Sequence, residues 1–462
     1  MCVLIGREEE LSQLNRFCDY PYRKACAVFG IRHTGKSALI KEFIKDREHI
    51  VFGFVDSTTE VNLRMAGRVM SQRTGTEKEY RTSFDFVWDL ADYIKGKKMI
   101  IVFDEFPHML KCDDSFAGIV KHFIDMQLGD SKLIMTGSSV SVMHYEMTDY
   151  SRPLYGRAEL LYLDELPFAD CIGFHPHLSD IDQIRMYLTA GGFPIYHRTD
   201  EKTYREYIEN RFLSQSASFR NEAENIIFGE FSPGRDFVMI LDSIGERKVT
   251  VAEIVSKTGI DRNTCARYLN AMKELNLISE CIPMWDAPKK PKYYTISDGI
   301  MALRFIAMRY DVSYSSDPHV RFDAMNEGIS AAHSLMFRKF CEKIICKSYC
   351  VTGIGSWWGK EHGTEEDSPN TEYGIDIAAE VKVGNNTVDL AVGCVFTDNP
   401  AGINDLRKLE NAISHFRTKR HPREMLISPS GFTEDLKEYA IDNNILLVNA
   451  DMLLGRSPMP QL

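Results

Sequence analysis

The sequence of 462 residues has no apolar run long enough to cross a bilayer, no surplus of basic residues and no cysteines in CxxC spacing. A spanning helix needs about 20 apolar residues, and the amino-terminal segment lacks a secretory layout. We therefore expect a cytoplasmic protein without membrane contact. The net charge of −11 excludes a strongly basic nucleic-acid coat but leaves room for a local basic patch.

The 11 cysteines are scattered along the chain, which argues against a disulfide framework or a zinc site. Cys341, Cys346 and Cys350 lie close together, but their spacing suits one face of a helix better than a set of zinc ligands. Reduced structural thiols are therefore expected. The chain is also too long for one ordinary domain, and about three domains are expected.

The most informative motif is Gly30–Ser37, which matches G-x-x-x-x-G-K-[S/T] at every fixed position. The apolar run Ala25–Phe29 precedes it and the helix-like segment Ala38–Ile44 follows, which is the context of a P-loop. Backbone N–H groups of such a loop close around phosphate oxygens, and the helix points its positive end at the anion. The alternative is a chance match in a glycine-rich turn, which these flanks disfavour.

The motif predicts that ATP is bound by the whole loop and that Mg²⁺ accompanies it. Lys36 would reach the β- and γ-phosphates and take part in catalysis, and the Ser37 hydroxyl would be a Mg²⁺ ligand. The predicted ATP-binding residues of the loop are Gly30, Ile31, Arg32, His33, Thr34, Gly35, Lys36 and Ser37.

A second motif lies at the end of another apolar run. Met99–Phe103 reads as a buried parallel strand, and Asp104 and Glu105 follow it directly. Ligand-binding groups of open α/β sheets gather at the carboxyl ends of strands. Asp104 is therefore a candidate Mg²⁺ ligand, and Glu105 a candidate general base for the water that attacks the γ-phosphate. The alternative is a pair of solvated acids at a strand end.

A third apolar run, Leu133–Met135, ends in small polar residues. Thr136 or Ser138 would lie near the γ-phosphate, where related ATPases sense hydrolysis. Alternatively, Ser138 or Ser139 caps the helix that follows. One residue could serve both purposes, so the sensor and the capping interpretations both stay open at this point.

Strand-like and helix-like segments alternate up to about residue 230, which is the α/β pattern. A P-loop ATPase domain with a helical lid is therefore predicted at residues 1–230. A different pattern follows at residues 231–312, with three helices and two strands in the order of a winged helix-turn-helix. Thr250 and Glu253 predict a capping box for the second helix, and Asp261 a cap for the third.

The winged helix-turn-helix carries basic residues where a DNA-binding protein would need them. Arg262 and Arg267 lie early in the third helix, where a recognition helix meets base edges. The wing carries Lys289, Lys290 and Lys292, which are enough for a few phosphate contacts. The alternative is that this domain is a protein-docking lid, as in other multidomain ATPases.

The last segment, residues 325–462, is predicted to be a separate α/β domain. A helix is expected from about Ala332 to Tyr349, and the Gly355–Trp358 segment follows it. Strands are expected at Gly374–Ala379, Asp389–Phe396, Glu424–Ser428 and Ile445–Val448, with a helix at Asn404–Arg417 before the third of them.

Taken together, these motifs resemble the archaeal-type P-loop ATPases of the AAA+/STAND group that carry a carboxy-terminal restriction-endonuclease-like domain. The fold implied is an α/β P-loop NTPase of the ASCE type, followed by a winged helix-turn-helix and a PD-(D/E)XK-like α/β domain. The motifs that carry the resemblance are Ile5–Leu11, Gly30–Ser37, Asp104-Glu105, Thr136–Ser139, Pro153–Arg157, Gly191–Pro194, Trp357-Trp358 and Ile375–Ile377.

The resemblance implies further site residues. Ile5, Gly6 and Arg7 would lie near the adenine base. Arg157 would approach a γ-phosphate as an arginine finger, either in its own chain or in a neighbour, because a fixed cation stabilises charge on the transferring phosphoryl group. The alternative for Arg157 is a structural ion pair.

The sequence departs from the family pattern in the carboxy-terminal domain. Glu342 and Asp376 fit the first two acids of a PD-(D/E)XK nuclease, but the next strand reads Gly393–Phe396 and lacks the Glu and Lys of the E-x-K element. Glu380–Lys382 does spell E-x-K, yet it follows Asp376 too closely to lie on a new strand. A degenerate, vestigial nuclease domain is therefore favoured over an active one.

The leading hypothesis is an ATP-binding, Mg²⁺-dependent ATP-hydrolysing switch whose nucleotide state controls the two following domains. One alternative is a DNA-binding regulator that uses ATP as a ligand. Another is an ATP-driven nuclease in defence against foreign DNA. ATP is the expected ligand in every case, and DNA, a second copy of the chain or a partner protein are the further partners considered.

Overall fold

The computed structural model describes residues 4–231, 234–245, 248–285, 292–310, 315–360, 372–415 and 420–462. The chain forms two compact units. The first unit consists of Met1–Phe174 and Gly192–Arg198, and the second of His175–Gly191 and Thr199–Leu462. The three predicted domains stay predictions. Within the ranges given above, every helix is too short or too polar to cross a membrane.

A parallel five-stranded sheet forms the centre of the first unit, in the order β2-β3-β4-β1-β5. β1, β3 and β4 are buried along nearly their whole length, as expected of a parallel sheet covered on both faces. The α/β fold class predicted for this region is therefore confirmed. The strands are β1 (Ala25–Phe29), β2 (His49–Gly53), β3 (Ile100–Asp104), β4 (Lys132–Gly137) and β5 (Ala158–Tyr162).

Helices cover both faces of this sheet. One face carries a large aromatic core that includes Phe52, Phe86 and Phe103, and the other carries a smaller core around Phe17 and Phe43. A π-helical turn at Phe123–Gln127 and a 3₁₀ turn at Ile172–Phe174 complete the unit. Its first eight helices are α1 (Glu8–Asp19), α2 (Lys36–Ile44), α3 (Thr59–Thr74), α4 (Ser83–Ile94), α5 (Phe106–Cys112), α6 (Phe116–His122), α7 (Val140–Thr148) and α8 (Phe168–Cys171).

The chain passes between the two units at three points. Helix α9 (Asp180–Ala190) belongs to the second unit, whereas α10 (Pro194–His197) belongs to the first. Gly191 lies between them with φ 60° and ψ −155°, a conformation that is essentially restricted to glycine. The turn between these two helices therefore marks a passage of the chain from one unit to the other.

The second unit continues with helices and a small antiparallel sheet, in the order β6-β8-β7. The predicted order of three helices followed by two strands is present in α13–α15, β7 and β8. The elements are α11 (Tyr204–Ile208), α12 (Glu222–Glu230), α13 (Gly234–Ile244), β6 (Val249–Thr250), α14 (Val251–Thr258), α15 (Arg262–Glu274), β7 (Ile278–Cys281), β8 (Tyr293–Ile296) and α16 (Gly299–Arg309), with a π-helical turn at Glu209–Leu213.

Local hydrogen bonds explain where two of these helices begin. The Thr250 hydroxyl accepts a hydrogen bond from the Glu253 N–H, and the Glu253 carboxylate accepts one from the Thr250 N–H, so the capping box is confirmed. The Asp261 carboxylate accepts hydrogen bonds from the N–H groups of Asn263 and Thr264, at 3.0 and 3.1 Å. Asp261 therefore begins α15 as predicted.

The carboxy-terminal part of the second unit contains a mixed five-stranded sheet in the order β13-β12-β11-β10-β9. β9 to β11 pair antiparallel, and β11 to β13 pair parallel. The α/β fold predicted for this part is therefore confirmed. Its elements are α17 (Pro318–Ser348), β9 (Cys350–Lys360), β10 (Glu372–Val383), β11 (Asn386–Cys394), α18 (Ile403–Ser414), β12 (Arg423–Ile427), α19 (Glu434–Asp442), β13 (Leu446–Val448) and α20 (Ala450–Leu453).

Two expectations for this part were wrong. Helix α17 begins at Pro318, where Asp317 caps it, and not near Ala332. Strand β9, which contains Gly355–Trp358, adds a strand before the first expected one, so Asp376 lies on the second strand of the sheet rather than the first. Gly353 and Gly355 weaken the strand signal in the sequence, because glycine is depleted in strands.

Candidate nucleotide-binding site

The Gly30–Ser37 loop joins the carboxyl end of β1 to the amino end of α2, as its flanks predicted. A Cβ atom on Gly30 would lie 2.1 Å from the Leu163 carbonyl oxygen, so no other residue fits there. Gly35 has φ 95° and lies directly before Lys36, the first residue of α2. The left-handed backbone turns the loop back over the amino end of the helix, which favours bound anions.

Lys36 is buried at the centre of the loop. Its Nζ donates hydrogen bonds to the carbonyl oxygens of Gly30 and Ile31, at 2.7 and 2.8 Å. The ammonium group is therefore held inside the loop by neutral acceptors. A phosphate oxygen is a stronger acceptor because it carries charge. Of the other predicted ligands, the Ser37 and Arg32 side chains are exposed, and the His33 ring lies edge-on to the Tyr196 ring at 5.8 Å.

Of the amino-terminal residues Ile5, Gly6 and Arg7, Arg7 contacts this loop, but in an unexpected manner. Its guanidinium is buried and donates hydrogen bonds to the carbonyl oxygens of Thr34, at 2.9 Å, and Asp164. Arg7 therefore supports the backbone of the loop. Gly6 has φ 67°, and a Cβ there would lie 2.6 Å from that of Asp170, which places Gly6 against α8. A Cβ on Gly173 would lie 3.5 Å from Ile5 Cγ2, which places Ile5 against the 3₁₀ turn that follows α8.

The two acids after β3 contact the two small polar residues at the end of β4. Thr136 Oγ1 donates a hydrogen bond to Asp104 Oδ1 and accepts one from the Glu105 N–H, at 3.2 Å. The N–H and hydroxyl of Ser138 donate to Glu105 Oε2, at 3.1 and 2.9 Å. The carboxylates are thus oriented by protein donors and are not simply solvated.

The structure tests the capping interpretation of the polar end of β4, and the sensor interpretation stays a prediction. Ser139 is the residue before α7, but its side chain makes no capping hydrogen bond. The Ser138 hydroxyl donates to Glu105 and does not cap the helix either. Side-chain capping by either serine is therefore wrong. Because β4 lies between β3 and β1, Thr136 and Ser138 lie between the acids and the loop.

Arg157 lies at the opposite end of the sheet from the glycine-rich loop. β5 runs parallel to β1, with Ala158 opposite Ala25 and Tyr162 opposite Phe29. Arg157 precedes β5, so at about 3.3 Å per residue the length of β1 alone separates it from the loop by more than about 13 Å. The expectation that Arg157 could reach the phosphates of its own chain is therefore wrong. Its Nε pairs with Asp125 at 3.0 Å.

The sequence motifs predicted no ligand role for the Gly192–His197 segment. The Gly-Gly-x-Pro pattern at Gly191–Pro194 indicates only a turn. In the first unit the Gly192 carbonyl accepts a hydrogen bond from the Leu166 N–H at 2.8 Å. A Cβ atom on Gly35 would lie 3.6 Å from Pro194 Cγ. With Tyr196 beside His33, this segment lies against the glycine-rich loop.

The acids predicted for the degenerate nuclease site are held by protein groups. Glu342 pairs with Arg338 at 3.0 Å and with Lys339 at 2.7 Å, and Asp376 Oδ2 accepts a hydrogen bond from the Cys394 N–H at 2.9 Å. A hydrogen bond to Cys341 and burial raise the pKa of Cys394, so this thiol stays uncharged where a nuclease has a carboxylate.

Two further features of this domain concern the E-x-K element and metal binding. Glu380 and Lys382 lie on β10 together with Asp376, so Glu380–Lys382 is not the E-x-K element of a following strand. Over the part of the chain that the structure describes, no group of three or more acidic, histidine or cysteine side chains could hold a metal ion.

The residues predicted to bind DNA differ in their surroundings. Arg262, Asn263 and Arg267 lie on the exposed face of α15. Lys292 Nζ instead pairs with Glu280 at 3.0 Å, and the same carboxylate binds Lys273 at 3.1 Å, so Lys292 is partly neutralised. Lys289 and Lys290 lie outside the described residues.

Comparison with known proteins agrees with this architecture. Residues 4–196 match the model of a family described as an ATPase domain predominantly from Archaea, and residues 338–456 match the model of a restriction endonuclease family. An uncharacterised protein of Methanocaldococcus jannaschii, MJECL04, is 24% identical over 369 residues, which make up 77% of this chain and 82% of the relative.

Two solved structures are similar to this chain at low sequence identity. The Walker-type ATPase PABY2304 of Pyrococcus abyssi is 20% identical, with a TM-score of 0.43, over 65% of this chain and 96% of that one. The Aeropyrum pernix ORC1 protein, solved in complex with DNA, is 13% identical, with a TM-score of 0.36, over 68% of this chain and 94% of that one. Such distant likenesses carry no argument about function.

The chain therefore contains an ATPase domain of the archaeal type and a carboxy-terminal restriction-endonuclease-like domain. This confirms the resemblance inferred from the motifs.

Proposed function

We propose that this protein is an ATP-binding switch that hydrolyses ATP with Mg²⁺ in its first unit. The observation that carries the proposal is the pairing of Asp104 with Thr136 and of Glu105 with Ser138. These pairs lie at the carboxyl ends of β3 and β4, at the same edge of the parallel sheet where the glycine-rich loop follows β1. A site that only bound a phosphate would have no need of two oriented carboxylates. A general base must be held in place to act on water.

The residues fit a bound Mg²⁺ by the chemistry of their donors. The Ser37 hydroxyl is exposed at the start of α2, and Thr136 orients the Asp104 carboxylate. Both are oxygen ligands of the kind that Mg²⁺ prefers. When bound with ATP, Mg²⁺ would neutralise charge on the β- and γ-phosphates.

The side chains of this unit have separate tasks in the proposed reaction. Lys36 exchanges the carbonyl oxygens of Gly30 and Ile31 for phosphate oxygens, which are stronger acceptors. Glu105 accepts a proton from the attacking water. Ser138 holds Glu105 Oε2 through two hydrogen bonds, so a change at the γ-phosphate that moved Ser138 would also move the base.

The connection of the chain supports a switch rather than a simple hydrolase. The Gly192–Arg198 segment packs against the loop through Pro194 and Tyr196, and both of its ends lead into the second unit. A change in the loop that displaced this segment would pull on α9 through Gly191. Loss of one phosphate would in this way be transmitted to the winged helix and the nuclease-like domain.

ATP affinity tests the core of this proposal. Lys36→Ala should weaken ATP binding about 10- to 100-fold, because charge-assisted hydrogen bonds to the phosphates are lost. Isothermal titration with ATP and Mg²⁺ measures the effect. The control is Lys41→Ala, an exposed lysine of the same helix, which should bind like the wild type. Equal affinity of the Lys36 variant and the wild type would refute a phosphate role for Lys36.

DNA binding through α15 is the second candidate function. Its support is the exposed face on which Arg262, Asn263 and Arg267 lie together. Replacing Arg262 and Arg267 by Ala should weaken binding to duplex DNA and reduce the slope of log affinity against log salt by about 1 for each phosphate that the variant no longer neutralises. Fluorescence anisotropy at several salt concentrations measures this. Lys437→Ala, on α19, is the control, and an unchanged slope would remove α15 from the DNA interface.

A further inference from the structure

The base of the wing, which consists of Ile282–Trp285 after β7 and of Tyr293 at the start of β8, contacts the edge strand β9 of the carboxy-terminal sheet. After β7 the chain runs beside edge strand β9, and Pro283 forms a parallel bridge with Ser356. The Met284 N–H donates to the Ser356 carbonyl, and the Ser356 N–H donates to the Ile282 carbonyl, both at 2.8 Å. A Cβ atom on Gly355 would lie 2.3 Å from the Ile282 oxygen, so only glycine permits this approach.

Apolar contacts extend this joint, the pairing of Ile282–Met284 with β9, on both sides. Met284 and Trp285 pack against the core of the nuclease-like domain, which includes Trp357 and Ile375. The Tyr293 ring at the start of β8 meets the Trp358 ring edge-on at 5.0 Å. Both strands at the base of the wing are therefore held by the neighbouring domain, and burial of aromatic surface stabilises such contacts.

The buried side chain of Arg338 connects the winged helix with the nuclease-like domain. Arg338 Nη2 donates to the Cys281 sulfur at 3.0 Å, at the end of β7. Its Nη1 donates to the Ser356 hydroxyl and, at 3.2 Å, to the Asp376 carbonyl. The same nitrogen lies 3.0 Å from the Glu342 carboxylate. A single guanidinium therefore joins the winged helix to the segments that bear both acids of the former nuclease site.

The charge of Glu342 explains why the buried Arg338 lies beside it. Glu342 is nearly fully buried and needs a partner. In a nuclease, bound metal would supply positive charge near these acids. Here Arg338 supplies it permanently and, unlike a metal ion, also donates hydrogen bonds in several directions at once.

We propose that the former nuclease site is a docking site for the base of the wing, that Arg338 is its central contact, and that the winged helix and the nuclease-like domain move as one body. At this site, attachment of the base of the wing has replaced nucleic-acid cleavage. The proposal does not depend on ATP hydrolysis, so it and the proposed function can fail independently.

Hydrogen–deuterium exchange of the full chain tests this attachment, because the Met284 and Ser356 amides donate the bonds across the joint. In the wild type both should be protected to the same degree as the amides of the central strand β11. In Arg338→Ala their exchange should rise about 100-fold or more, since breaking a buried charge pair opens the joint. Lys339→Ala is the matched control, because Lys339 also pairs with Glu342 but is half exposed. It should change the exchange by less than about threefold.

A second variant keeps the test decisive if Arg338→Ala fails to fold. Met284→Ala removes a side chain on the winged-helix side only and should raise exchange at Ser356 about tenfold. Fast exchange of both amides in the wild type, or an unchanged rate in both variants, would overturn the proposal. Addition of Mn²⁺ to the wild type should leave both rates unchanged. A Mn²⁺-dependent change at Ser356 would indicate an open metal site and would also overturn it.

Discussion

Glu105→Gln should reduce steady-state ATP turnover about 10²- to 10⁴-fold, which is the usual contribution of a positioned general base. Glutamine has the shape of glutamate and keeps an oxygen that accepts from the N–H and hydroxyl of Ser138. It has no basic carboxylate to take a proton from water. ATP affinity should stay within about threefold of the wild type, because the phosphate ligands are unchanged.

The measurement is phosphate release with Mg²⁺ at saturating ATP, together with ATP affinity by titration. Glu77→Gln, at an exposed acid after α3, is the matched control and should turn over like the wild type. A Glu105→Gln variant that keeps most of its turnover would exclude Glu105 as the base. A wild type as inactive as the variant would leave ATP as a ligand only, which is the regulator hypothesis.

The glycine-rich loop could be predicted from the sequence because all of its determinants are local. Gly30, Gly35 and Lys36 follow one strand and begin one helix, so spacing along the chain is sufficient. The fold class could be predicted for the same reason, since buried parallel strands such as β1 and β3 are continuous apolar runs.

Contacts between distant segments could not be predicted in this way. The pairing of Glu105 with Ser138 depends on β4 lying next to β3. The local periodicity of a sequence does not determine the order of strands in a sheet. The place of Arg157 depends on the register of β5 against β1. In the sequence Arg338 is one more arginine on a long helix, a residue type that is almost never buried unless paired. Its role depends on Cys281 and Ser356, which come from other elements.

Arg157→Ala should reduce turnover about 10³-fold or more if Arg157 acts as an arginine finger, and the finger must then be supplied to a neighbouring subunit. The register of β5 places Arg157 at the far end of the sheet from its own loop. In the single chain it pairs with Asp125, and both side chains are partly exposed. Such a pair contributes little to stability, so the exchange of Asp125 for a phosphate would cost little.

A mixing experiment separates the two interpretations of Arg157. Lys36→Ala subunits have an intact Arg157, and Arg157→Ala subunits have an intact loop and Glu105. Each should be nearly inactive alone, but their mixture should regain activity, because one subunit completes the site of the other. The control is Arg23→Ala, which breaks the exposed pair with Glu159 at the same end of the sheet and should not reduce turnover.

The result would also decide whether nucleotide controls assembly. A finger supplied by a neighbour makes the site incomplete in a single chain, so activity should rise with protein concentration in the wild type. The molar mass in solution should then increase when ATP and Mg²⁺ are added. If Arg157→Ala turns over like the wild type and the mixture shows no gain, Arg157 is only the ion-pair partner of Asp125. Hydrolysis would then depend on the groups around Lys36 and Glu105 alone.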